Sequence, residues 1–316
     1  MAEIEDKNKK RKKKKKHHPV LDWLAYIILR ILVVFLSFFN IETNLNTACV
    51  LGRLLWKYYH RGRKRALENL RASFPEKSEK WINETGRRSF EQIVMLAMDV
   101  LFTPRLTRKH NWRDYAVFEN SERTKWLMQE KRGLIMLTAH YGNFELVGYM
   151  MGLFGFHIYG VARPLDNKYI SNYLYGVRQR FGQRILDKKG AAKYMEQILS
   201  SGDTLCFIAD QDAGRKGIFV DFFGRKASTY KSIGLIALTC NIPIVVGCSR
   251  RIGNHFKFEM KTYRVITPDE WADKDKPLEW ITEEYTKAME AFIRDDPTQY
   301  WWLHRRWKHR PKNEKN

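Results

Sequence analysis

The chain has 316 residues, 44% hydrophobic and 14% aromatic, enough to bury a full core in one domain with an N-terminal extension. Its formal net charge of +22 is weighted to the ends: residues 1–16 hold nine Lys or Arg against three acids, and residues 303–316 hold six against one. Cys49, Cys206, Cys240 and Cys248 show no Cys-x-x-Cys spacing, so they read as small buried hydrophobes, and neither a disulfide framework nor a metal is expected.

In chain order, residues 1–19 form a basic tail of the kind that stays disordered and acts as an electrostatic handle. An anionic membrane, an acidic protein and nucleic acid compete as its partner. Val20 to Phe39 is almost wholly apolar, and about 20 residues of helix span roughly 30 Å, the thickness of a bilayer core. Asp22 and Arg30 interrupt it, and a central Arg costs about 2.5–3.5 kcal/mol on insertion scales. Basic residues crowd both flanks, so the charge rule favours both ends staying on one side, with the segment in the interface rather than across it. Asn40 to Asn46 breaks the pattern, and Thr47 to Tyr59 resumes as a helix. Arg65 to Pro75 and Ser78 to Phe102 add two more, and residues 20–75 form a membrane-associating unit.

Residues 76–302 carry the main domain. Strands are expected at Leu134–Leu137, Phe156–Arg163, Asp203–Ala209, Pro243–Ser249 and, pairing antiparallel, Phe256–Val265. Helices are expected from Phe144, over Tyr169–Phe181 and Ala191–Leu199, from Ser228 through Thr239, and over Leu278–Arg294; Gly214–Thr229 reads as a loop. This alternation predicts an α/β fold with a layered mixed sheet and flanking helices. Residues 303–316 read as a basic C-terminal tail.

The most informative stretch is Gly133-Leu-Ile-Met-Leu-Thr-Ala-His-Tyr-Gly-Asn-Phe-Glu145. It places His140 beyond the C-terminal end of a strand, Asn143 as a helix cap and Glu145 in the first helical turn, where open α/β sheets keep their chemistry. Glu145 is expected to accept the imidazole N–H and fix its tautomer. The chain has no Gly-x-Ser-x-Gly elbow. Arg163, at a strand end, suits a phosphate or forms an ion pair with Asp210 or Asp212. Oxyanion donors are sought in the Gly142–Asn143 turn or the loop after Asp212. Phe219, Phe222 and Phe223 line an acyl slot or pack the core.

His140 and Glu145 resemble the His-x4-Asp/Glu motif of glycerolipid-type acyltransferases. Around them, Thr138-Ala-His-Tyr-Gly-Asn-Phe-Glu145, Ala162-Arg-Pro-Leu-Asp-Asn167, Ala209-Asp-Gln-Asp-Ala-Gly214, Phe219-Val-Asp-Phe-Phe-Gly224, Pro243-Ile-Val-Val-Gly247 and Gln299-Tyr-Trp-Trp-Leu-His-Arg-Arg-Trp307 resemble the bacterial lipid A biosynthesis (lauroyl/myristoyl) acyltransferases. The resemblance implies an O-acyltransferase using acyl carrier protein or acyl-CoA as co-substrate, with no cofactor. A lipid A precursor or similar glycolipid would be the acceptor, at the cytoplasmic face of a bacterial inner membrane with anionic lipids as partners. It implies His140 as general base with Glu145, and Arg163, Asp210, Gln211 and Asp212 as substrate-binding residues. Within the same fold the acceptor could instead be a phosphoinositide mannoside or a lysophospholipid. The alternative from another class is a non-enzymatic polybasic membrane- or RNA-binding protein; nucleic acid is not the expected partner.

Overall fold

The computed structural model describes residues 18–311 except 163, 181, 188, 189 and 191. The expected disorder of residues 1–17 and the role of Arg163 therefore lie outside the described residues. The helices are α1 (Pro19–Leu36), α2 (Ile41–Tyr58), α3 (His60–Ser73), α4 (Glu79–Leu106), α5 (Trp112–Tyr115), α6 (Glu122–Gln129), α7 (Phe144–Leu153), α8 (Lys168–Gln179), α9 (Ala192–Ser200), α10 (Lys231–Cys240), α11 (Pro268–Trp271) and α12 (Pro277–Asp295). The strands are β1 (Ala116–Glu119), β2 (Leu134–Thr138), β3 (Ile158–Ala162), β4 (Gln183–Asp187), β5 (Thr204–Ile208), β6 (Ile218–Phe222), β7 (Arg225–Thr229), β8 (Ile244–Arg251) and β9 (Phe258–Ile266).

Seven strands form one sheet in the order β1-β9-β8-β2-β5-β3-β4. Only the β8–β9 pair is antiparallel. β2 lies mid-sheet because it is apolar on both faces, as parallel strands covered by helices must be. Its side chains alternate between two cores. Ile135 and Leu137 join Ile281, Tyr285, Met289 and Phe292 of α12. Leu134 and Met136 join Leu146 and Met150 of α7 and Met95 and Met98 of α4. The layered mixed sheet with flanking helices is thus as the sequence predicts.

Three local expectations change. Helix α2 begins at Ile41 rather than Thr47, because the Asn40 side chain caps it by accepting from the Thr43 N–H at 2.8 Å. The supposed loop 214–229 contains the β6–β7 hairpin, and Ser228 and Thr229 end β7, with α10 starting at Lys231. The first part of the basic C-terminal segment is packed: Arg306 is buried and donates to the Ser228 carbonyl and the Thr229 hydroxyl, each at 2.6 Å.

Helix α1 lies along the domain. Near its start the Asp22 carbonyl accepts from Asn167 at the cap of α8 (2.8 Å), and Tyr26 stacks on Tyr169 of α8. The Arg30 guanidinium, expensive in a lipid-facing helix, donates to the Tyr26 hydroxyl and lies 5.1 Å from the centre of the Tyr173 ring. At its end the buried Leu36 offers its carbonyl to Asn44 of α2. The outward side is apolar: Val20, Ile28, Ile31 and Phe38 are 65–81% exposed.

Arg306→Leu strands buried acceptors on β7, so we expect a loss of about 2–3 kcal/mol, roughly the penalty for unpaired buried polar groups. Urea unfolding checks this; an unchanged midpoint would show the C-terminal segment to be dispensable for folding.

Candidate active site

Parallel strands β2 and β5 pair with Thr138 opposite Ile208. Two residues further along each chain, His140 and Asp210 face one another, and the imidazole Nδ1 lies 2.7 Å from Asp210 Oδ1. Asp210 is fully buried and the His140 side chain nearly so. Burial alone would raise the Asp210 pKa, but the charge and hydrogen bond of His140, helped by His304, outweigh it and hold the carboxyl well below its usual range. An ionised Asp210 makes Nδ1 the protonated nitrogen, leaving the Nε2 lone pair of His140 to take a proton.

Glu145 does not fill the orienting role expected for it. It sits at the second position of α7, which turns its carboxylate sideways toward α8, where Arg178 grips both oxygens at 2.8 and 2.5 Å. Asp210 was expected at the substrate; its buried side chain instead pairs with His140 Nδ1. Asp212 accepts from His309 Nδ1 (2.7 Å) and the Gly214 N–H (3.2 Å), which engages it in holding the C-terminal segment. Gln211 is exposed, and its carbonyl accepts from Arg306.

The turn after His140 is locked. Gly142 has φ +51°, and a Cβ there would collide with the Ser249 carbonyl. Its N–H donates to the Gln299 carbonyl (3.1 Å) and that of Asn143 to the Ser249 carbonyl (2.9 Å), so both amides of this turn are already spent; in the loop after Asp212, the Ala213 and Gly214 amides likewise donate to the Ser228 carbonyl and the Asp212 carboxylate. The Asn143 side chain caps α7 at the Leu146 N–H, as its position implies.

A further residue comes from the far end of the chain. The His304 ring packs edge-on against His140 with centroids 4.5 Å apart, and Trp301 and Phe144 complete the enclosure. Burial, with the positive charge His140 can carry, pushes the His304 pKa down to about 4, so it is neutral at pH 7. His140, Asp210 and His304 present ligand-type atoms within 4.8 Å of one another, the one such group among the described residues with spacing for a metal. Two of these residues, His140 and Asp210, already share a hydrogen bond.

A cavity of about 180 Å³ opens between the sheet and α7, lined by Phe144, which packs against His140, and by Val147, Met151, Met136, Cys206 and Met260 among others, with Glu145 and Arg178 also in its wall; His140, Asp210 and His304 do not themselves line it. Phe222 and Phe223 lie elsewhere, in the core with Trp302 and Trp307, and Phe219 is not among the cavity-lining residues. Burial raises the Cys206 thiol to about 12, which makes it an inert part of the wall.

The depressed His304 pKa sets a pH window. Between about 4 and the ordinary His value of 6.5 the unfolded chain binds the proton that the folded chain refuses. Its stability contribution is therefore full above 6.5 and lost as pH falls toward 4. Thermal unfolding of wild type should gain more between pH 4.5 and 7 than that of His304→Phe; equal gains would contradict the assigned environment.

Residues 8–309 match the family described as bacterial lipid A biosynthesis acyltransferases. The chain is 30% identical over 271 residues to a lipid A biosynthesis lauroyltransferase of Escherichia coli K12, covering 83% of this chain and 84% of the relative. It is 27% identical to the palmitoleoyltransferase of the same organism, covering 84% of each chain, and 25% identical to the myristoyltransferase, covering 80% and 77%. With His140, Asp210 and the closing Trp-His-Arg segment all within the matched range, the chain is an acyltransferase and belongs to the bacterial lipid A biosynthesis acyltransferase family.

Proposed function

We propose that the protein moves a fatty acyl chain from an acyl carrier protein or CoA thioester to a hydroxyl of a lipid A precursor or similar glycolipid, with His140 as general base. The observation that carries this reading is the His140–Asp210 pair at paired strand ends beside an apolar cavity. The cavity takes the acyl chain and delivers its carbonyl toward the imidazole. The acceptor hydroxyl gives its proton to His140 Nε2 as it attacks, and Asp210 stabilises the imidazolium. When the tetrahedral intermediate collapses, the C–S bond breaks and the thiolate leaves with the proton from His140. No covalent acyl-enzyme is needed.

Arg163 follows β3 in sequence, and we assign it to a phosphate of donor or acceptor. Glu145, through Arg178, fixes the start of α7 against α8 and so holds the cavity mouth in shape. Its part in catalysis is positional.

His140→Ala should keep the fold and lose about 10²–10⁴-fold in acyl transfer, the range for a positioned acid–base group. Asp210→Asn should approach that loss, and Glu145→Gln should lose less. The readout is mass spectrometry of membrane glycolipids made with each variant; near-wild-type product from folded His140→Ala would end the general-base reading.

The site works at the membrane surface on this reading. An 18-residue helix is about 27 Å long and could cross a bilayer core, yet the contacts of Asp22, Tyr26 and Arg30 with α8 hold α1 along the catalytic domain. Its exposed apolar side therefore lies in the cytoplasmic interface, assisted by the polybasic segment before it. Single cysteines replacing His18 and the exposed Lys274 should both resist a membrane-impermeant reagent in intact spheroplasts. Labelling at position 18 alone would mean that α1 spans.

A further inference from the structure

The reaction needs a donor for the oxyanion, and the Gly142 and Asn143 amides are occupied by the Gln299 and Ser249 carbonyls. We infer that His304 is a catalytic residue that donates its Nε2–H to the oxyanion of the tetrahedral intermediate. Three observations place it. The ring stands edge-on to His140 at 4.5 Å between centroids, beside the base and within reach of the atom the base activates. A ring nitrogen of each His and an oxygen of Asp210 all lie within 4.8 Å of one another. The His304 Nδ1 is buried without a hydrogen-bond partner. A buried N–H without an acceptor is rarer and costlier than a buried lone pair without a donor, so the proton belongs on Nε2.

Neutrality fits the task. With its pKa pushed down to about 4, His304 stays an uncharged donor at pH 7 and does not repel the His140 imidazolium. The ring is also held before substrate arrives. Asn69 of α3 donates to the Trp302 and His304 carbonyls at 2.8 and 3.0 Å, and Arg65 to the Leu303 carbonyl at 3.1 Å. The Trp301 N–H donates to the His140 carbonyl at 3.1 Å, tying the two histidine segments together. Such preorganisation is what makes an oxyanion donor effective.

In the step itself, the acceptor oxygen forms a bond to the thioester carbonyl carbon as its proton passes to His140. The carbonyl π pair moves onto oxygen, where the His304 N–H meets it. Collapse restores the C=O bond, releases the thiolate and returns the proton from His140 to sulfur. His304 neither gains nor loses a proton.

The inference rests on the thioester-donor reading, and the test separates the two. Wild type, His304→Gln and His304→Phe are compared for binding of a non-reactive thioether analogue of an acyl donor, and of the matching trifluoromethyl ketone, which adds water to give a tetrahedral hydrate with an oxygen where the oxyanion forms. Folding of each variant is confirmed by thermal unfolding. We expect thioether affinity to stay within about threefold in all three, trifluoromethyl ketone affinity to fall at least tenfold in His304→Phe, and His304→Gln, which keeps an N–H, to retain most of it. Acyl-transfer kcat should fall about 10²–10³-fold in His304→Phe, the range for loss of one oxyanion donor, with KM for the acyl donor little changed. Equal affinity of wild type and His304→Phe for the trifluoromethyl ketone, or equal losses for both analogues, would overturn the role. Failure of wild type to bind either analogue would instead overturn the donor reading beneath it.

Discussion

The hydrogen bond between His140 and Asp210 is the constraint on which the rest depends, because it requires a buried carboxylate to remain charged. Taking such a group out of water costs several kcal/mol unless it is paired and hydrogen-bonded. The fold meets that condition through strand register. β2 and β5 are parallel and in register to their last residues, so two chains leaving the sheet together bring imidazole and carboxylate together as well. Nothing in a flexible loop needs to find the partner.

The same constraint explains why the C-terminal segment is part of the domain. Tyr141 and Tyr300 form an isolated bridge, and the Trp301 N–H reaches the His140 carbonyl, so the chain returns across the site it has just built. Arg306 then anchors beneath β7, and His309 closes on Asp212. The side chains of Arg306 and His309 follow His304 into a region that already holds Asp210 and Asp212. Charge that reads as a solvated tail is here partly spent on backbone carbonyls and the buried Thr229 hydroxyl.

How much of this was legible in the sequence follows from what each signal depends on. The strand–turn–helix around His140 was readable because it is local: an apolar run, a Gly-containing turn and an Asn cap within thirteen residues. The partner of His140 was not, since the carboxylate five residues away was the only one that local spacing could offer. Yet Thr138-Ala-His140 and Ile208-Ala-Asp210 end their strands alike, each with an alanine and then a chemical residue. Pairing those two strands in the sheet would have exposed the dyad. Strands β1 and β4 lie at the sheet edges, where Gln183-Arg-Ile-Leu-Asp187 lacks the continuous apolar pattern that marks β2. The β6–β7 hairpin was hidden by Gly and Lys residues that read as loop, although its inner residues Val220, Phe222 and Ala227 are buried. His304 was obscured by the basic charge around it.

Arg30 marks where the apolar N-terminal helix and the catalytic part meet. A guanidinium at the centre of an apolar helix argues against immersion when the helix is considered alone, and the structure gives it an aromatic niche between Tyr26 and Tyr173. Tyr173 is on α8, and α8 also carries Arg178, which holds Glu145 in the wall of the cavity. One helix therefore touches the proposed lipid anchor on one side and the cavity wall on the other. On the proposed reading, acyl donor and glycolipid approach from different phases, and a rigid α8 keeps the cavity mouth aligned with the surface that α1 occupies. On that same reading the Arg30 niche serves geometry more than affinity, because it sets how the apolar face of α1 is held relative to α8 and, through α8, to the cavity wall.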